Sequence, residues 1–425
     1  MNQTIEKIFN LFLESNGVSI DTRSINGGEI FFALKGEHVD GNIFAAAALE
    51  KGAGYCVVDN PDFAITEKCI LVDDSLIALQ QLAKLYRSKF HFPVLALTGS
   101  NGKTTTKELI ASVLAAKYKV NATKGNLNNH IGVPLTLLSI KPDCEFAIIE
   151  MGANHLKEIE QLCLIADPDY GLITNIGKAH LGEFGGMDAI KKAKSELFFY
   201  VMNKGGVIFT NSGQKILDDV ISGYKRVVKY GYDDDYLKGK IHEGSEFAVV
   251  EIDSEVVIHS HLVGNYNADN ILAAACIGKY FDVGYDEIKK AIENYLPGNN
   301  RSELKKIGDN YFILDAYNSN PSSLKAALDN FHQLKAENKI VIMGDMLELG
   351  IYSGEEHRQM LELALKYKFN KIITVGPEFM KFPSENVLQF SNSEETKDWF
   401  VQQSFIGATV LLKGSRGIML ERIIE

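Results

Sequence analysis

The residues with the clearest chemical potential are Thr98-Gly99-Ser100-Asn101-Gly102-Lys103-Thr104-Thr105, which follow the apolar run Val94-Leu-Ala-Leu97. Two glycines let backbone N–H groups converge on an anion, and a helix opening at Thr104 turns the positive end of its dipole toward the same point. Lys103 is then placed to neutralise the β- and γ-phosphates of a nucleotide, and the Thr104 hydroxyl to ligate Mg²⁺. The loop is a shortened one, because Leu97 stands where the common pattern has its first glycine. The alternative is a tight strand-to-helix turn that happens to end in Lys-Thr, but a strand before and a helix after are the context that phosphate binding requires.

Phe146-Ala-Ile-Ile-Glu150 places a carboxylate at the C-terminal end of an apolar strand, the edge where ligands gather in an open α/β sheet. The next strand, Gly171 to Thr174, delivers His180 to that edge. With Thr104 these make a candidate Mg²⁺ set, although a lone histidine is as readily structural. Asn126, Asn128 and Asn129 lie in a loop too rich in amides to be core, suited to a polar ligand or to simple turn chemistry. Asn267 opens an apolar helix, where capping is the commoner duty and reading a base edge the other. Met187 to Phe198 is a helix with a basic face, and Lys194 on it reads as solvated. Asp315 ends a strand, Asn320-Pro321 is a helix entrance, and Lys413-Gly-Ser415-Arg416-Gly is a basic turn suited to an anion.

These residues need a scaffold of alternating strands and helices. At 425 residues the chain exceeds what one core organises. Residues 1–90 read as a small N-terminal α/β domain with turn-rich loops holding Thr22, Arg23, Lys35 and Asp40. Its closing helix, 75–90, is expected to pack its leucines on that same domain. Residues 91–296 read as a central doubly wound sheet, and residues 297–425, after the linker 296–301, as a Rossmann-like α/β domain ending in a helix. The formal charge of −11 argues against general affinity for nucleic acid or anionic membrane. Five scattered cysteines without a Cys-x-x-Cys pair read as reduced, and neither a signal core nor a membrane span is visible. The expectation is a cytoplasmic protein, monomeric by default.

Taken together, the motifs resemble the Mur ligase family of ATP-dependent amide-bond-forming enzymes over essentially the whole chain. Thr98 to Thr105 is similar to the family's shortened phosphate loop, Glu150 and His180 to its metal-binding residues, and Arg301 and Asp315 to its nucleotide-contacting pair. The dinucleotide-fold glycine motif that opens some members is absent. Asp21-Thr-Arg23, Gly27-Gly-Glu-Ile-Phe-Phe-Ala-Leu-Lys-Gly36 and Asp40-Gly41 are similar to the members that add the third residue or the terminal dipeptide. Asp315-Ala-Tyr-Asn-Ser-Asn-Pro321, Gly344 to Gly350 with His357, and Lys413 to Arg416 resemble the member acting on D-alanyl-D-alanine.

The resemblance implies ATP, two Mg²⁺ ions at Thr104, Glu150, His180 and a CO₂-carbamylated Lys194, and ligation of D-alanyl-D-alanine to UDP-N-acetylmuramoyl-tripeptide through an acyl phosphate. It further implies that Gly99, Ser100, Asn101, Gly102, Lys103, Thr104, Thr105, Asn267, Arg301 and Asp315 hold ATP. Thr22, Arg23, Lys35 and Asp40 would hold the UDP part, and Asn126, Asn128 and Asn129 would line the peptide channel. Asn318, Lys413, Ser415 and Arg416 would meet the dipeptide. Where members commonly have His-Asn, this chain has Tyr266-Asn267. Other amide ligases, such as a folylpolyglutamate synthase, and nucleotide-driven switches that ligate nothing use a similar loop.

Overall fold

Three separate sheets, each made from its own stretch of chain, divide the computed structural model, which describes residues 3–233, 235–298, 300–403 and 405–425. Asn299 of the expected linker lies outside the described residues, as do Met1 and Asn2. All five cysteines are unpaired.

In the first unit α1 (Gln3–Glu14) buries Ile5, Ile8 and Phe12 on one stripe. Strands β1 (Val18–Ser19), β2 (Ile30–Phe32), β3 (Tyr55–Val58) and β4 (Cys69–Leu71) form a parallel sheet in that order, with α2 (Ala45–Glu50) between β2 and β3. Helix α3 (Ser75–Arg87) follows, capped by Asp74, whose carboxylate accepts from Ile77 N at 2.8 Å.

The central sheet uses β5 (Val94–Thr98), β6 (Val120–Ala122), β7 (Phe146–Glu150), β8 (Tyr170–Ile173) and β9 (Val207–Asn211). Their helices are α4 (Lys103–Leu114), α5 (Gly132–Leu138), α6 (Glu158–Ala166), α7 (Leu181–Phe184) and α8 (Met187–Lys204). Short α9 (Asp218–Ile221) leads to β10 (Val227–Gly231), β11 (Leu237–Ile241), β12 (Phe247–Ile252) and β13 (Val256–Val263), then α10 (Ala268–Tyr280) and α11 (Tyr285–Glu293). Strand order is β13-β12-β11-β10-β9-β8-β5-β7-β6. Alternation fails from β10 to β13, where strands follow one another without helices and the last two pair antiparallel. Elsewhere the period of two sends Val94, Ala96, Ala147 and Ile149 into one apolar layer and Leu95, Leu97, Phe146 and Ile148 into the other.

The last unit has β14 (Glu303–Ile307), β15 (Asn310–Asp315), α12 (Pro321–Gln333), β16 (Asn338–Gly344), α13 (Ser353–Tyr367), β17 (Lys371–Val375), β18 (Leu388–Phe390), α14 (Ser393–Val401) and β19 (Ala408–Lys413). Their order is β14-β15-β19-β16-β17-β18, with only β14 antiparallel. The expected closing helix is instead two short 3₁₀ turns, Arg416–Ile418 and Leu420–Ile423, pinned by burial of Leu420 and Ile423.

Helix α3 departs from expectation. Besides touching α1, it packs on α5 and α6 of the central domain, so its apolar face joins two domains. Tyr86 Oη donates to Ile140 O at 2.8 Å. Buried Arg87 donates from Nε to Ala166 O at 2.9 Å and from Nη2 to Asp167 O at 2.8 Å, satisfying the last carbonyls of α6. Replacement Arg87→Met strands the Ala166 carbonyl away from water, while Asp167 O keeps Lys204 Nζ at 2.9 Å. It is expected to cost about 2–4 kcal/mol in a denaturant titration, where an ordinary surface arginine would cost under about 0.5.

Candidate active site

The turn after β5 can exist only with glycine at two positions. Gly99 has φ +149° with Thr174 Oγ1 where a Cβ would sit, and Gly102 has φ +76° against Asn270 Oδ1. The neighbouring strand end holds the turn's shape. Ser100 N donates to Asn175 O at 3.0 Å, Asn101 N to Asn175 Oδ1 at 3.0 Å, and Ser100 Oγ to Gly177 O at 3.0 Å. Helix α4 begins at Lys103, one residue before the expected start, and Gly102 offers no side-chain cap, which leaves its first N–H groups for a ligand. Lys103 Nζ donates to Gly99 O at 2.8 Å and Ser100 O at 3.4 Å. Desolvation lowers its pKa from the usual lysine range.

Glu150, 1% exposed at the tip of β7, accepts at Oε1 from Asn128 Nδ2 at 2.8 Å and Thr104 Oγ1 at 3.3 Å. Its Oε2 is buried with no hydrogen-bond partner, 4.0 Å from Lys107 Nζ. An orphaned carboxylate oxygen beside a threonine hydroxyl is a hard oxygen donor set, and it fits Mg²⁺. His180 adopts φ +53° and opens α7. Its Nδ1 lies 2.9 Å from Glu348 Oε2 and 3.2 Å from Glu183 Oε2 without hydrogen-bonding to either. Among the described residues, these three form the group whose ligand atoms all lie within 4.8 Å, so the carboxylates closing on His180 are Glu183 and Glu348, not Glu150.

Lys194 is not on a solvated face. It is 1% exposed, donates to Ala153 O at 3.1 Å and lies 5.3 Å over the ring of Phe184. Burial, reinforced by the charge of Lys103, pushes its ammonium down to about 7. The periodicity of α8 conceals this, because Lys191 and Lys192 beside it do reach water.

A cavity of about 860 Å³ brings Ser100 to Thr105, Asn126, Asn128, Asn129, Glu150 and His180 of the central domain to face Arg301, Asp315, Asn318 and Lys413. Several of these side chains have structural duties. Asn129 Oδ1 accepts from Ile131 N and Gly132 N, the turn-forming alternative. Asn267, 2% exposed, makes no cap; its Nδ2 donates to Val263 O at 2.8 Å and Ser302 Oγ at 3.2 Å. Lys413 is paired with Asp315 at 3.0 Å and donates to Asn318 O at 2.8 Å, so it closes the 315–318 loop. Ser415 is buried and accepts from Leu347 N, and Arg416 is exposed; neither lines the cavity.

Thr22, Arg23, Lys35 and Asp40 do not line it either. Arg23 pairs with Asp21 at 2.7 Å, Lys35 with Asp59 at 3.0 Å, and Asp40 caps the turn at Asn42. His357 is fully buried, held neutral by desolvation, and accepts from Met346 N at 2.9 Å, which fixes the loop after β16.

Sequence reasoning passed over Tyr317, whose ring lies 3.6 Å beneath the Arg301 guanidinium, and Asn175, which braces the phosphate loop. It also passed over Glu348 and Lys107. Glu348 and Asn175 carried one available signal, a polar residue shortly after a strand end.

Residues 14–87 match the model "Mur ligase family, catalytic domain", 97–278 "Mur ligase middle domain", and 300–416 "Mur ligase, glutamate ligase domain". The chain is 33% identical to the UDP-N-acetylmuramoyl-tripeptide--D-alanyl-D-alanine ligase of Bacillus subtilis (strain 168), over 96% of this chain and 92% of that one. Superposition on MurF from Acinetobacter baumannii gives a TM-score of 0.86 at 29% identity, covering 96% and 92% of the two chains. MurF ligase from Thermotoga maritima, in complex with ADP, gives 0.87 at 25% identity, covering 98% and 97%. With its three sheets, its glycine-turned phosphate loop and these relatives along nearly its whole length, the chain belongs to the Mur ligase family.

Proposed function

We propose that this protein is an ATP-dependent ligase that joins D-alanyl-D-alanine to UDP-N-acetylmuramoyl-tripeptide, making the pentapeptide precursor of peptidoglycan in the cytoplasm. The observation that carries the reading is the single cavity in which Lys103, Thr104 and Glu150 face Arg301, Asp315 and Asn318 across a domain boundary. The relatives that bear this ligase's name match over 96% of this chain. Among the described residues no helix is long and apolar enough to cross a membrane.

The reaction begins with attack of the tripeptide's terminal carboxylate on the γ-phosphorus, which releases ADP and leaves an acyl phosphate. The amine of the dipeptide then attacks that carbonyl carbon, the C–O bond to phosphate breaks, and inorganic phosphate departs. Both anions of the first step must be held together, and the first turn of α4 aims N–H groups at the phosphates. Lys103 exchanges its two carbonyl partners for a phosphate oxygen and supplies a charge that is worth more for being desolvated. Thr104 and Glu150 would hold one Mg²⁺ and His180, with Glu183 and Glu348 beside it, a second, and these ions when bound would offset the charge of the phosphate oxygens. Lys194 would complete that set as a carbamate: its neutral amine attacks CO₂, a proton leaves, and a cation becomes an anionic oxygen donor.

By the same reading Arg301, steadied by Tyr317, and Asn267 and Asp315 flank the adenosine. Gly99 to Gly102 and Thr105 shape the phosphate site, and Asn126, Asn128 and Asn129 border the peptide channel. Residues 1–90, with Thr22, Arg23, Lys35 and Asp40, take the UDP end. Residues 297–425 bring the dipeptide to the centre carried by 91–296, with Asn318 as its contact and Lys413, Ser415 and Arg416 shaping the loops around it.

ADP release is expected to require both UDP-N-acetylmuramoyl-tripeptide and D-alanyl-D-alanine; release with neither, or with glutamate and a folate instead, rejects the proposal. Glu150→Gln is expected to lower kcat at least about a hundredfold in the same assay.

A second expectation follows from Lys194. Its folded pKa of about 7 lies below the ordinary 10.5, so between those values the unfolded chain binds the extra proton and stability rises with pH. In CO₂- and metal-free buffer the wild type should gain up to about 2–3 kcal/mol more than Lys194→Met between pH 7 and 9. Denaturant midpoints measure the difference. Equal pH slopes for the two proteins would show that Lys194 is charged when folded.

A further inference from the structure

The first turn of α12 makes contacts that helix capping does not explain. Asn320 Oδ1 accepts from Ser323 N at 3.0 Å, the ordinary duty of an N-cap. Its Nδ2 meanwhile donates to Asn101 Oδ1 at 2.7 Å, 219 positions earlier in the chain and inside the phosphate loop. Asn101 is itself held firmly, because its carbonyl accepts from Thr174 Oγ1 at 2.6 Å and from Asn175 Nδ2 at 3.1 Å. Two residues beyond Asn320, Ser322 Oγ accepts from Lys178 N at 2.9 Å. One helical turn thus touches both the phosphate loop and the loop that carries His180. Asn320 is 7% exposed, so little water competes for its amide.

We infer that Asn320 is a positioning residue that ties the C-terminal domain to the phosphate loop through Asn101, so that nucleotide binding and placement of the dipeptide-carrying domain are set together. The inference rests on the proposed function for what the two domains carry. Only a side chain with an acceptor and a donor on one planar group can cap α12 and reach Asn101 at once. Aspartate keeps the acceptor for the cap but has no N–H for Asn101 Oδ1, so the contact persists only if the Asn101 amide turns over to present Nδ2. Serine caps but is too short to reach.

The test uses the full chain with Asn320→Asp, Asn320→Ser, Asn101→Ala and the double variant Asn101→Ala/Asn320→Asp. Asn320→Asp keeps the cap but loses the bond to Asn101, so its denaturant midpoint is expected to fall slightly below that of the wild type. Its kcat for ADP release with both substrates should fall about tenfold or more, and Asn320→Ser should show a similar fall. Calorimetric affinity for Mg-ADP, which needs no turnover, should fall about threefold to tenfold on Asn320→Asp in the wild-type background and not at all in the Asn101→Ala background.

Wild-type kcat in both Asn320 variants, or equal losses of ADP affinity in the two backgrounds, would overturn the coupling. A wild-type chain that released no ADP with both substrates present would instead reject the proposed function. The affinity cycle would still decide the role of Asn320.

Discussion

Buried positive charge is the constraint around which the centre of this molecule is arranged. Lys107 and Lys194 are each almost fully out of water, Lys103 is desolvated beside them, and the buried carboxylate among them is Glu150. Isolated ammonium groups in a protein interior are costly and are retained only with a partner or with a shifted pKa. Both devices are present. Lys103 rests on two carbonyls and Lys194 on one, and both have lowered pKa values. Carboxylates balance them along the cavity, which is lined by Glu150, Glu158, Asp269, Asp315 and Glu348 as well as by Lys103, Arg301 and Lys413. A nucleotide triphosphate brought to Lys103 meets a charge that burial has already stripped of water, which strengthens the attraction.

The sequence revealed those features whose physics is local. A phosphate loop between a strand and a helix, a carboxylate at a strand tip and an Asn-Pro helix entrance each depend on a few adjacent residues, and β5, β7 and α12 stand where those residues put them. What could not be read depends on tertiary surroundings. The four-residue neighbourhood of Lys194 is that of a solvated helix face, and only the packing of α8 against α7 and the 153 carbonyl reveals it as buried. The same holds for Lys413: its glycine turn looks built to grip an anion, yet the parallel register of β15 and β19 sets it opposite Asp315, which takes its charge. Asn267 looked like a cap but is drawn back to Val263 O and Ser302. The leucine spacing of α3 established an amphipathic helix without saying which domain would receive the stripe, and two do.

The two joints of the central domain differ in kind. Toward the N-terminal unit, α3 buries an apolar face on α5 and α6 and Arg87 locks into the end of α6, a joint with the character of a domain core. Toward the C-terminal unit the bonded contacts are polar and include Asn320 to Asn101, Lys178 N to Ser322 Oγ at 2.9 Å, Lys178 to Glu356 at 2.6 Å, Gly182 N to Glu348 O at 3.1 Å, Asn265 N to Asn330 Oδ1 at 3.2 Å and Tyr352 Oη to Gly185 O at 3.3 Å. Water can replace each of these at small cost, whereas it cannot replace the packing under α3. A ligase that shields an acyl phosphate from water until its last substrate enters is served by a cavity wall that can part and return. The wall with the hydrogen-bonded joint is the one suited to move, and its contacts include the phosphate loop at Asn101 and the loop of His180 at Lys178.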